Sequence, residues 1–307
     1  MNQHLANALL LLVGAIWGMG FVAQSTAMDE IGPVFFTGIR FLAAAICVLP
    51  LALWESRKIH KASGSKTTVK NYANYALLGT FLFASLATQQ IGLVTTSVTN
   101  SGFLTGLYVV IVPILSVIIL RRMPHFVIWP AALATLFGIY LLSGGDISAL
   151  TRGDYWTILC AFLWACHVIV LSLILQDDRA AAQPFTLACT QFFVCAVWGI
   201  LIGLLSEAVD WSSILAALPE ILFAGIISGG VAFTLQAYAQ RYTTAPQAAI
   251  FMSSEALFAA LFGAVLLAER IGFVGLIGCM LIFTAMLMVE LVPMLTTKPK
   301  VVTPPGQ

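Results

Sequence analysis

Residues Pro246 to Ala268 read PQAAIFMSSEALFAALFGAVLLA, and this stretch decides the fold. It is 23 residues long and carries one charge, Glu255, near its middle. About 20 predominantly apolar residues cross the hydrocarbon core of a bilayer. The stretch is therefore expected to be a single membrane-spanning helix. A carboxylate at that depth costs at least ~2.5 kcal/mol unless it is protonated, ion-paired or wetted by a cavity. Glu255 is thus either a pin between helices or part of the wall of a polar cavity.

The rest of the chain has the same character. Of its 307 residues 60% are hydrophobic and 9% charged, against roughly 25% charged in soluble proteins. A net charge of +1 gives no reason to expect a nucleic-acid partner. The six cysteines all lie in apolar runs and none forms a Cys-x-x-Cys pair, so no metal site or disulfide framework is expected. Catalytic and nucleotide-binding signatures (His-Glu-x-x-His, Walker A, Gly-x-Ser-x-Gly) are missing. The chain is not expected to be an enzyme or to carry a cofactor.

Ten apolar segments are expected, at about 5–27, 33–54, 72–94, 97–120, 125–144, 153–175, 184–205, 215–238, 246–268 and 272–293. The first is too long for a signal-peptide core and is read as a retained helix. Between them lie turn and charge signals such as Asp29-Glu30-Ile31-Gly32-Pro33 and Gly144-Gly145-Asp146. The 55–71 segment reads as a long mobile loop, and the tail 296–307 as a disordered cytoplasmic extension. Ten crossings put both termini on one side. Eleven Lys and Arg fall on that side, and two, Arg152 and Arg270, on the other; Arg40 is inside a span. The basic bias predicts a multi-pass protein of the cytoplasmic (inner) membrane with both termini cytoplasmic.

The halves echo each other. Trp17 in GAIWGMGF aligns with Trp164 in AFLWACHV, Pro33 with Pro184, and Thr95-Thr96 with Thr243-Thr244, at offsets of 147, 151 and 148. Five spans is an odd number, so the second copy enters the membrane from the opposite side. The expected architecture is all-α: ten transmembrane helices in two inverted five-helix repeats, 1–147 and 148–295, with the tail 296–307 beyond them.

These residues carry a resemblance. The chain resembles the ten-helix, EamA-type members of the drug/metabolite transporter superfamily, through Trp17-Gly18 with Phe21, Pro33, Arg40, Pro113, Trp164, Ser254-Glu255 and Leu266-Leu267-Ala268-Glu269-Arg270. It covers about residues 5–293 and is specific for superfamily, not for substrate. Relatives often place Pro after the acid of the ninth helix; here Ala256 follows Glu255, which removes that reason for a kink. The resemblance implies solute carriers, among them exporters of amino acids and related metabolites. It also implies a central cavity built from helices 1, 3, 4, 6, 8 and 9.

Polar side chains three or four residues apart share a helix face. On the implied cavity helices the candidates for substrate binding are Trp17 and Gln24, Gln89, Asn100 and Tyr108, Trp164 and His167, Gln236, Ser254 and Glu255. Each could equally serve as interhelical glue. Arg40 is expected to pair with an acid or a carbonyl, or to reach the interface; a substrate carboxylate is the sharper option. The spacings Gly14/Gly18, Gly102/Gly106, Gly199/Gly203 and Gly225/Gly229 suit close packing within a monomer and leave a weak homodimer open. The function read from these features is secondary transport of a small polar or amphipathic metabolite by alternating access, with membrane lipid and a small-molecule substrate as partners. The proton, exchanged at Glu255, is the candidate coupling ion. A passive pore and, further off, an intramembrane enzyme are the alternatives.

Overall fold

In lipid every backbone amide must be bonded within its own segment, so apolar spans become helices. The computed structural model describes residues 2–63, 67–96, 98–142, 150–177, 182–266 and 272–296, and contains no strand among them. The helices are α1 (Gln3–Ala27), α2 (Pro33–Ser63), α3 (Val69–Leu93), α4a (Val98–Thr105) with α4b (Tyr108–Leu120), α5 (Ile128–Leu142), α6 (Arg152–Ile174) and α7 (Pro184–Ser206). After a short helix Trp211–Ala216 come α8 (218–240), α9a (Ala245–Met252) with α9b (Glu255–Leu266), and α10 (Phe273–Thr296). Nine described spans are long and apolar enough to cross a bilayer, and α5 is a shorter tenth.

Local chemistry sets the helix starts. Asn2, Thr68 and Thr244 accept hydrogen bonds from the amides of Leu5, Asn71 and Gln247, and Thr151 with Asp154 forms a reciprocal capping box. Three sequence expectations change. The ninth span is not continuous but breaks at Ser253-Ser254, and the fourth breaks at Gly106-Leu107. The segment expected as a loop from residue 55 instead continues α2 to Ser63, because nothing before Gly64 stops a helix and Lys58 covers the Trp54 ring at 4.9 Å. Gly144-Gly145-Asp146, Leu267-Ala268-Glu269-Arg270 and the tail from residue 297 lie outside the described residues.

The two breaks are related by 253 − 106 = 147, the offset that relates Trp17 to Trp164. The inverted repeat is thus built into the backbone, with a discontinuous helix at the same place in each half. The second sign of symmetry is the antiparallel pair α2 and α7. Gly38 and Gly199 meet backbone to backbone where no Cβ would fit. At one end Glu207 accepts from the amides of Val34 (2.9 Å) and Phe35 (2.8 Å), capping α2. At the other, Glu55 accepts from the amides of Phe185 (3.3 Å) and Thr186 (2.8 Å) and from the Thr186 hydroxyl (2.7 Å), capping α7. Each helix thus supplies a carboxylate, Glu207 just past the end of α7 and Glu55 from within α2, that satisfies orphan amides at the start of the other.

Candidate solute-binding cavity

A cavity with about 480 Å3 of atom-free space, adjoining open solvent included, lies between the repeats. Its polar wall is Gln24, Arg40, Ser85, Gln89, Thr105, Ser228 and Glu255; its apolar wall is largely aromatic, with Trp17, Phe21, Phe41, Trp164 and Phe233. It runs from mid-length, where Trp164, Phe233 and Glu255 stand, toward the face opposite the N-terminus, near which Gln24 and Gln89 end their helices.

The broken helix α9 brings Glu255 there. The Ser253 hydroxyl donates to the Ile250 carbonyl at 2.7 Å, drawing the chain out of the helical ladder. Gly18 of α1 backs onto the restart: a Cβ there would lie 2.8 Å from the Glu255 carbonyl oxygen. Glu255 becomes the first residue of α9b, 7% exposed. Its carboxylate makes no ion pair or hydrogen bond with a described residue. α8 contributes through a π-helical segment, Phe223–Phe233, whose wider turns suit a functional wall. The Trp17 indole donates to the Ser228 carbonyl in this segment at 3.1 Å. Trp17 meets its repeat partner Trp164 edge-on at 5.4 Å between ring centroids, and Phe233 at 4.8 Å.

Arg40 is buried in the same wall. Its Nη1 donates to Gln24 Oε1 at 2.7 Å, and its Cζ lies 5.3 Å from the ring centroids of both Phe36 and Phe41. Gln89 Nε2 donates to Thr105 Oγ1 at 3.1 Å, tying α3 to α4a.

Of the residues expected at a binding site, Trp17, Gln24, Gln89, Trp164 and Glu255 come together on this cavity. Four others are packed outside its lining. Tyr108 is fully buried edge-on to Trp164 at 6.5 Å. His167 stacks behind Trp164 at 4.8 Å and bonds Gln191 Oε1 through Nε2 at 3.1 Å. Gln236 Nε2 faces Gln240 Oε1 at 3.4 Å, and Ser254 is fully buried against Gly14. The Asn100 side chain lies outside the described residues. Sequence reasoning missed Phe41, Cys160 and Phe233, since an apolar side chain in an apolar span carries no signal of its own.

A second cavity, with about 810 Å3 of atom-free space including adjoining open solvent, opens near the face that carries the N-terminus, with Ser116, Arg122, Ser172, Gln176, Gln240 and Arg241 among its lining. Trp164 in the first and Ser172 in the second are eight residues apart on α6, roughly 12 Å along the axis. In that interval Tyr108, Val112, His167, Val168 and Gln236 are at most 1% exposed.

The family model for EamA-like transporters matches residues 4–144 and again 151–291. The chain belongs to the EamA-like transporter family. An uncharacterized transporter of Archaeoglobus fulgidus is 30% identical over 287 residues, spanning 93% of this chain and 86% of the relative. The uncharacterized transporter YoaV of Bacillus subtilis is 22% identical over 276 residues, 89% of this chain and 92% of its own. A solved crystal structure shares the fold with a TM-score of 0.76, covering 96% of this chain and 99% of its own at 13% identity. The EamA-type resemblance is therefore real, and the chain is a multi-pass membrane transporter. The two family matches coincide with two halves whose fourth helices break at the same place.

Proposed function

We propose that the protein is a secondary carrier of a small amphipathic metabolite, an amino acid or related compound, and that it exports this solute across the cytoplasmic membrane by alternating access. The observation that carries the reading is the pair of cavities on opposite sides of a tightly packed layer. A continuous pore would connect them; a carrier opens them in turn. The aromatic wall suits an apolar body, and Glu255 suits a cationic amine or an exchangeable proton. Catalysis has little support: the relatives are named transporters, and His167 is stacked outside the cavity lining. The basic bias of 11 against 2 favours both termini in the cytoplasm. The central cavity would then lie in the outer half and the second cavity at the cytoplasmic end.

The test is counterflow in proteoliposomes loaded with unlabelled amino acids. The expected outcome is transient accumulation of label with a rate that saturates. Flux that rises linearly with concentration and shows no counterflow rejects the carrier in favour of a pore.

A further inference from the structure

Arg40 is 3% exposed and has no carboxylate partner among the described residues. Among the described residues only Gln24 Oε1, on Nη1, accepts from the guanidinium; Nε and Nη2 are buried and find no described partner. In a planar guanidinium the Nε–H and Nη2–H share one edge and run parallel, matching the two oxygens of a carboxylate. The free pair of donors is therefore the bidentate pair. The rings of Phe36 and Phe41, each 5.3 Å away, help to hold the cation but satisfy neither N–H. A buried charge left without a counter-charge is strongly destabilising. Its place in the lining of a cavity indicates a counter-charge that arrives with the solute.

We infer that Arg40 is the anion-binding arm of the central cavity, receiving a carboxylate of the transported solute on Nε and Nη2 while Gln24 fixes the guanidinium through Nη1. Glu255 lines the same cavity and is paired neither with Arg40 nor with any other described cation. An unpaired guanidinium and an unpaired carboxyl group lining one cavity suit a solute with one carboxylate and one ammonium on an apolar body. That body lies against Trp17, Phe41 and Phe233. This assignment rests on the carrier reading and gives each charge of the solute its own residue.

The experiment uses three probes of one shape: L-leucine, isopentylamine, which lacks the carboxylate, and 4-methylpentanoate, which lacks the amine. Binding to purified parent, Arg40→Gln, Arg40→Lys and Glu255→Gln is measured by calorimetry, with size exclusion as the fold check. The parent is expected to bind leucine best. Arg40→Gln should weaken leucine and 4-methylpentanoate by roughly 10–100-fold, the range of hydrogen bonds to a charged group, and spare isopentylamine. Glu255→Gln should weaken leucine and isopentylamine and spare 4-methylpentanoate. Arg40→Lys keeps the charge without the fork and should recover only part of the loss. A monodisperse Arg40→Gln that binds the two carboxylate probes like the parent overturns the assignment. Should Arg40→Gln aggregate, leucine binding by Arg40→Lys equal to the parent overturns it. If the parent binds none of the three, the amphipathic-solute reading falls and takes the Arg40 assignment with it; a parent that binds leucine while Arg40→Gln does so equally leaves the carrier standing and removes only Arg40.

Discussion

Glu255 and Arg40 are single residues on which the chemistry of the cavity turns, and only one of them declared itself fully in sequence. An acid in the middle of an apolar stretch is conspicuous because the surrounding residues cannot solvate it. Glu255→Gln keeps the volume and the hydrogen-bonding capacity, so the variant is expected to insert and run as a monodisperse peak on size exclusion. It cannot ionise, so transport in proteoliposomes is expected to fall about tenfold or to lose its pH dependence, the effect of removing ~1.4 kcal/mol of differential interaction. Glu255→Ala also leaves a void and is expected to transport less than Glu255→Gln. Equal rates for parent and Glu255→Gln at two pH values would make the acid structural. For Arg40 the sequence left an acid, a carbonyl, the interface or a substrate as partners. The structure leaves two of its nitrogens facing no described acceptor. That choice depends on which helices surround the residue, which no local pattern encodes. His167 is the converse case: a histidine in an apolar run invites a proton-carrier reading, but tertiary packing stacks it behind Trp164 and gives its Nε2 to Gln191.

At the scale of the helix, the α2–α7 pair is the firmest statement of symmetry. Glu55→Ala and Glu207→Ala each remove a carboxylate from two backbone amides at the start of the opposite helix. Each is expected to lower stability by about 1–2 kcal/mol, the usual range for a lost cap, read by thermal or denaturant unfolding in detergent. The two caps lie 21 residues apart along α2, from Val34 to Glu55, or roughly 32 Å, so the double variant should show the sum within about 0.5 kcal/mol. Strong non-additivity would mean the pair unzips as one unit. Gly199→Leu drives a side chain into the Gly38 backbone and is expected to cost at least ~1–3 kcal/mol and to prevent a monodisperse protein. The helix breaks were half legible. Gly106 is an overt weak point, whereas Ala256 in place of Pro put a kink of the ninth helix in doubt, and the helix breaks at Ser253-Ser254 for another physical reason. Two serines with competing hydroxyls, packed against the glycines of α1, interrupt a helix without proline.

At the scale of the molecule, the charge asymmetry predicts that a cysteine placed at residue 64 is labelled by a membrane-impermeant reagent only in inverted vesicles; labelling in intact cells would reverse the orientation and move the central cavity to the inner half. The sequence by itself determined the class of protein, the number of spans and the inverted repeat. Those follow from hydrophobic length, an odd count of five and a recurring offset, all of which are one-dimensional quantities. It also singled out Trp17, Gln24, Gln89, Trp164 and Glu255, because a polar or indole side chain in an apolar span is visible before folding. Only the tertiary structure decided which of the candidates share a space. It opened a wall with a π-helical turn, parted the fourth and ninth helices, and divided the interior into two cavities by a packed layer. The physical reason is that a helix face gives a direction but not a neighbour. Whether a buried amide meets another helix or open space depends on crossing geometry, and that geometry is set by glycine contacts and caps between residues more than a hundred positions apart.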